Sequence, residues 1–428
     1  MKHTIEEVKL SNGARGLLID IPDATVMSFQ FQFRAGNCYV KNKDIYEAAH
    51  VMEHMAFGAN AKFKSEHEYE AEFTKNGAYH NAYTSDLSMV YVADCADFEW
   101  ERIFALQRVA ICQPKFNAEE LEAEKGNVKS ELTGYLNNHN RVLWPKIQQL
   151  LGEDVYTFWQ RIQTIPNVTL ADIRRHHKLT HTAKNMCFVV AGKLQGRKAE
   201  IKRQLEDWEL PEGERFEVPR NDLSSANPTL IRRKEASNLT FGWSMTMPRE
   251  LSDEEAEAMN CLDQILTGTM HSRIYGAARK KGLAYGVFSD TSVGFYDSSW
   301  DFGGQVNLET SAGLFDIIVR EVKHVLDGKI TEAELDAAKS YALGRYQMGA
   351  QTVAQISNFY TSRYFADGVL KDYNKVPESI RKTTRDRMVA TASEFISSDA
   401  WVLAGVSSGE KNDIVELNDK LATLFQKR

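Results

Sequence analysis

The chain repeats itself at a spacing of 212 to 214 residues, so any fold the first half adopts must be built a second time by the other half. Phe29, Phe31 and Phe33 alternate with Gln30 and Gln32, the pattern of a half-buried strand. At a spacing of 212, Phe241, Trp243 and Met245 alternate with Gly242 and Ser244. Cys187-Phe188-Val189-Val190-Ala191-Gly192 reads as a buried strand ending in a glycine turn, and at a spacing of 213 Trp401-Val402-Leu403-Ala404-Gly405 repeats it. The helical run Leu121-Glu122-Ala123-Glu124-Lys125 matches Leu335-Asp336-Ala337-Ala338-Lys339 at a spacing of 214. Between the halves, residues 209–228 hold three of the nine prolines together with Gly213, Ser224 and Ser225, a linker composition. A chain of 428 residues also exceeds what one hydrophobic core supports. The expected organisation is a domain over 1–208, a linker over 209–228 and a second domain of the same fold over 229–428.

Composition narrows the function classes. With 43% hydrophobic and 26% charged residues the chain is an ordinary globular protein, and a net charge of -7 argues against a nucleic-acid partner. No apolar run approaches the length of a membrane span. The start, Met1-Lys2-His3-Thr4-Ile5-Glu6-Glu7, lacks the apolar core of a secretory signal. Cys38, Cys95, Cys112, Cys187 and Cys261 are scattered and odd in number, with no CxxC pair, which points to reduced core thiols in the cytoplasm.

Chemistry concentrates in His50-Val51-Met52-Glu53-His54. Tyr46 to Phe57 is free of Gly and Pro and rich in helix formers, with Asp44 as the expected N-cap and Glu47 three residues on. On a helix His50 and His54 are i,i+4 neighbours, about 5–6 Å apart at Cβ, and can chelate one zinc ion with Glu53 beside them as a proton acceptor. The bland alternative is a solvated helix face with a salt bridge. Against it, Ala48, Val51, Met52 and Met55 form a core stripe, while the other face shows His50, Glu53, His54 and Phe57 and no Lys or Arg. The repeat supplies a control: a shift of 212 lands on Leu262, Ile265 and Leu266, so the duplicated fold does not require those polar residues for packing. A third zinc ligand should come from the acidic helix that starts near Phe116 and continues to Glu131. Glu124 and Glu131 share a face seven residues apart, and spacing alone does not choose among its carboxylates; a solvated face accounts for most of Glu119, Glu120 and Glu122.

H-x-x-E-H is the inverzincin signature, and essentially the whole chain resembles the pitrilysin/insulysin family of metallopeptidases, in the two-domain class that includes bacterial peptidases and mitochondrial processing peptidase subunits. Gly77-Ala78-Tyr79-His80-Asn81-Ala82-Tyr83-Thr84 resembles the family's G-G-x-x-N-A-x-T segment, and Glu124 to Glu131 its E-x6-E helix. Ser272-Arg273-Ile274-Tyr275, Arg279 and Gly282-Leu283-Ala284-Tyr285 resemble its S-R-L-[FY]…R…G-L-x-Y segment. Two departures, Phe57 directly followed by Gly58 and Ala78 in place of a second glycine, remove no chemical group. They bear on substrate preference.

The resemblance implies an α+β fold: two homologous domains, each a mostly antiparallel sheet covered by helices, together forming half of a clamshell. It implies one zinc per chain on His50, His54 and Glu131, with Glu53 as general base and Glu124 orienting a ligand histidine. Asn81 and Ala82 would lie on an edge strand that pairs with an extended peptide substrate, and Arg279 and Tyr285 would hold the substrate carbonyl or the developing oxyanion. In the family such a site is completed by the opposing half, which implies a homodimer with sites completed in trans. The implied activity is zinc-dependent endopeptidase; the alternative is a non-catalytic partner or scaffold subunit.

Overall fold

The computed structural model describes residues 1–425, which divide between two compact units. The first unit comprises Met1–Gly134, Phe158–Pro219 and Gly349–Tyr373; the second comprises Tyr135–Thr157, Arg220–Met348 and the chain from Asn374 onward. In the first unit, β1 (Thr4–Lys9), β2 (Arg15–Asp20), β3 (Val26–Phe33), β4 (Tyr79–Thr84), β5 (Met89–Ala96) and β6 (Met186–Gly192) form one sheet in the order β1-β2-β6-β3-β5-β4. Only the β2–β6 pairing is parallel. In the second unit, β7 (Thr229–Arg232), β8 (Leu239–Met247), β9 (Ala284–Val293), β10 (Ser298–Val306) and β11 (Ala400–Ser407) run in the order β7-β11-β8-β10-β9, again with a single parallel pairing, β7–β11. Apart from β1, the two sheets have the same strand order and place the parallel pair identically. Both are covered by helices, and the class is α+β.

The ladders refine the repeat. Phe188 faces Phe31 across β6–β3, and Leu403 faces Trp243 across β11–β8. Leu403 therefore stands where Phe188 stands, two residues beyond the Trp401 match suggested by sequence spacing. A slip of two keeps every side chain on its own face of the sheet, so the hydrophobic pattern does not register it.

β3 is also more deeply buried than its alternation suggests. Phe29, Phe31 and Phe33 are fully buried, and so, nearly, are Gln30 and Gln32. The polar face is covered by the helix Val353–Asp367, whose Asn358 accepts a hydrogen bond from the Gln30 amide. This helix comes from the second half of the sequence. Its Val353, Ile356, Tyr360 and Tyr364 pack on Leu17, Ile19, Cys187 and Val189 of the first unit's sheet. A capping box of Thr352 and Gln355 starts it, and Gly368, at φ +76°, ends it. Arg215 and Arg34 donate to its last carbonyls, on Phe365 and Ala366, at 2.6 and 2.7 Å, placing positive charge at the negative end of the helix dipole.

The mirror arrangement occurs in the second unit. The helix His139–Leu151, from the first half of the sequence, packs Val142, Leu143, Ile147 and Leu151 against Ala400, Val402, Ala404 and Val406 of β11. It also approaches β8 so closely that a Cβ on Gly242 would lie 2.5 Å from Ile147 Cδ1. The compact units are thus not the contiguous spans 1–208 and 229–428: residues 135–157 and 349–373 each complete the unit encoded mainly by the other half. Residues 209–228 contain no helix or strand, as their composition suggests. No described helix is long and apolar enough to cross a membrane.

Because Ile147 is 1% exposed between this helix and the sheet, Ile147→Ala should cost about 2–5 kcal/mol in stability. A lowered denaturation midpoint for the second unit, read by tryptophan fluorescence, checks it.

Candidate metal centre

The motif helix spans Ala48–Ala56, and all of its residues are buried except His54. It starts later than the sequence suggests. Asp44 does not cap it; Asn42 caps a short 3-10 turn at Lys43–Ile45 by accepting the Asp44 N–H, and Glu47 occupies the N-cap of the motif helix. Glu47 closes no capping box. Its side chain, 0% exposed, turns inward to His50 and to Arg161 on the helix Phe158–Thr164. Its own N–H is taken by Thr164 Oγ1 at 3.2 Å. A helix buried on every side must find partners for its polar residues inside the protein.

The acidic helix, Ala118–Tyr135, buries Leu121, Val128 and Leu132. That stripe turns Glu124 and Glu131 toward the motif helix. Glu131 Oε2 lies 3.5 Å from Nε2 of His50 and 3.5 Å from Nε2 of His54. Two ligands each about 2.1 Å from a tetrahedral zinc lie about 3.4 Å apart, so these two separations match two edges of a zinc site. Among the described residues, His50, His54 and Glu131 are the one group whose ligand atoms, all within 4.8 Å of one another, can hold a metal ion. Each imidazole is held from behind. His50 Nδ1 donates to Glu47 Oε1 at 2.8 Å, and His54 Nδ1 donates to Glu124 Oε2 at 2.9 Å. A carboxylate can only accept, so Nδ1 carries a proton in both rings and Nε2 is the atom turned toward Glu131. Asn127 in turn donates to both oxygens of Glu124 at 3.1 and 3.2 Å.

Glu53 is 8% exposed, and its Oε2 is buried without a hydrogen-bond partner. An unsatisfied buried carboxylate oxygen is costly, and a water on a metal at this position would satisfy it. The donor set therefore fits zinc: two imidazoles and one carboxylate, with a further carboxylate next to them.

The electrostatics run the same way. Burial pushes His50 and His54 down, but hydrogen bonds to Glu131 and Glu47 raise His50 to about 9, and those to Glu124 and Glu131 raise His54 to about 10. Glu124 is held below the usual carboxylate range by His54. Burial opposes the charge on Glu47, yet Arg161 and His50 bring it down to about 2.

The remaining expected residues fall as follows. Asn81 and Ala82 lie on β4, which ends its sheet and packs beside the motif helix; Asn81 is exposed and Ala82 buried. Arg279, on the helix Arg273–Lys280, and Tyr285, on β9, belong to the second unit, where the Arg279 guanidinium lies over the Tyr285 ring, 4.6 Å from its centroid. Tyr285 is 84% exposed. Glu120 is not on a solvated face: it accepts the Ala59 N–H at 2.8 Å and fixes the turn after the motif helix. In the second unit Leu262, Ile265 and Leu266 are buried in the apolar core.

Two family models match the chain. The one described as insulinase (peptidase family M16) covers residues 17–153, and the one described as peptidase M16 inactive domain covers 167–341. The chain belongs to peptidase family M16. It is similar to an uncharacterised zinc protease of Streptomyces coelicolor, 22% identical over 90% of this chain and 87% of that protein. It also resembles the human mitochondrial-processing peptidase subunit beta, 28% identical over 34% of this chain and 30% of that one. A structure of a peptidase M16 inactive domain from Pseudomonas fluorescens superposes with a TM-score of 0.83 at 18% identity, covering 95% of this chain and 99% of that one. A protease from Helicobacter pylori gives 0.81 at 17% identity, covering 95% and 100%. These structures share the fold.

Sequence reading missed Glu47 and Arg161. Glu47 carries a local signal, an acid three residues before the first histidine, but the same position also suits a helix cap. Arg161 is more than one hundred residues away and has none.

Because neighbouring carboxylates hold both imidazoles in the protonated form above neutral pH in the metal-free protein, a zinc ion taken up by them would release protons at pH 7, and its affinity should climb as pH rises through about 9 to 10. Titration calorimetry in buffers of different ionisation enthalpy measures this directly. Heats independent of the buffer would contradict it.

Proposed function

We propose that this M16 chain is a zinc-dependent endopeptidase acting on peptides or unfolded polypeptides. The observation that carries the reading is the convergence of His50, His54 and Glu131 next to the unpartnered carboxylate oxygen of Glu53. When bound, zinc supplies a Lewis acid that activates water and polarises the scissile carbonyl. Glu53 is the proton carrier: it accepts a proton from the attacking water and returns it to the leaving amine nitrogen. His50 and His54 stay aligned because Glu47 and Glu124 occupy their other ring nitrogens. The outer edge of β4 offers backbone groups to an extended substrate alongside Asn81 and Ala82. Arg279 and Tyr285 present donors suited to a developing oxyanion. We assign those donors to the site of a second copy, which makes the working form a homodimer, in a reducing compartment such as the cytoplasm given five free cysteines.

The alternative, a non-catalytic partner subunit, draws support from the inactive-domain description of residues 167–341. The five residues of the proposed zinc chemistry, from His50 to Glu131, all lie outside that span, which favours the catalytic reading.

Glu53→Gln should keep zinc and lose about 10²–10⁴-fold in turnover of a peptide library. His50→Ala should lose both metal and cleavage, read by elemental analysis and mass spectrometry of products. Full activity in Glu53→Gln would sink the assignment. Gel filtration under assay conditions should give twice the mass of one chain; a single-chain mass would remove the trans arrangement.

A further inference from the structure

The ion pair behind His50 does more than pack. Glu47 is fully buried and binds Arg161 through two guanidinium nitrogens, with Nε 2.9 Å from Oε2 and Nη2 2.5 Å from Oε1. The same Oε1 accepts from His50 Nδ1 at 2.8 Å. Arg161 is itself mostly buried, with its side chain 17% exposed. A buried pair of this kind contributes little net stability, because desolvating both charges offsets their attraction. Its position in the repeat is more telling. The spacing that takes His50 to Leu262 takes Glu47 to Met259, a fully buried core residue of the second unit. The duplicated fold therefore fills this place with an apolar side chain wherever the ligand histidine is absent, and carries a carboxylate only where His50 is present.

We infer that Glu47 and Arg161 are positioning residues for the metal: Glu47 fixes the tautomer and the ring plane of His50 so that Nε2 faces Glu131, and Arg161 locks Glu47 in that orientation. The two ligand histidines are thus held differently. Glu124 holds His54 with Asn127 as its own support, an uncharged one, whereas Glu47 holds His50 with a cation behind it. A ring free to rotate or to move its proton to Nε2 would present no lone pair to the metal.

The inference rests on the zinc reading of the site, so wild-type zinc affinity is measured first by chelator competition; failure there removes the zinc reading itself. The informative variant is Glu47→Met with Arg161→Met, which installs at position 47 the side chain the second unit uses and removes both members of the ion pair together. Its metal-free melting temperature should stay at or above that of wild type, and its zinc affinity should fall about 10–100-fold. Glu47→Gln, which keeps the volume and a neutral acceptor, serves as the second variant and should show a smaller fall in affinity. Wild-type zinc affinity in either folded variant overturns the inference and leaves the pair a packing element.

Discussion

Burying a nine-residue helix that carries two histidines and a glutamate is the constraint from which the rest of the first unit's site follows. Inside a protein an unpartnered polar group costs about 1–3 kcal/mol, and more when charged, so each one requires a neighbour. His50 takes Glu47, Glu47 takes Arg161, His54 takes Glu124, and Glu124 takes Asn127. The chain of partners stops short of Glu53, whose Oε2 has no hydrogen-bond partner, and of the two Nε2 atoms that converge on Glu131. Chemistry at this site is what remains after the packing requirements have been met.

The second unit shows what the same scaffold looks like without that constraint. Its sheet has the same strand order, and its equivalent helix, Asp253–Asp263, runs on into a π-helical turn at Gln264–Gly268. The positions of His50, Glu53 and His54 become Leu262, Ile265 and Leu266, and that of Glu124 becomes Ala338. The positions of the motif's histidines and glutamate are apolar there and join the core, and the buried acid of this helix, Asp263, accepts hydrogen bonds from Trp300 and Thr291. One duplicated architecture thus separates into a unit that can bind metal and a unit that displays Arg279 and Tyr285.

Each unit also borrows a helix. Val353–Asp367 covers the polar face of β3, and His139–Leu151 covers β11 and approaches β8 at Gly242. An amphipathic helix has an apolar stripe that fits many sheet faces, and its sequence does not name the sheet it will cover. That is why contiguous boundaries followed naturally from the repeat and why the compact units depart from them.

What the sequence alone determined was local or periodic. A four-residue spacing on a helix forces His50 and His54 onto one face, and period-two alternation marks β3 and β8 as sheet strands. Comparison of the two halves showed that the polar residues of the motif are not needed for packing. The choice of Glu131 as third ligand came from resemblance, because several carboxylates on the acidic helix fit the spacing equally well. Tertiary structure decided what depends on distant pairing: that Glu131 meets both Nε2 atoms, that Glu124 supports His54, and that Arg161 stands behind Glu47. It also shifted β11 by two residues and exchanged two helices. The physical reason is the same in each case. Local geometry follows from bonded periodicity, whereas the partner of a buried charge or of an apolar stripe is chosen by packing between segments that the sequence keeps far apart.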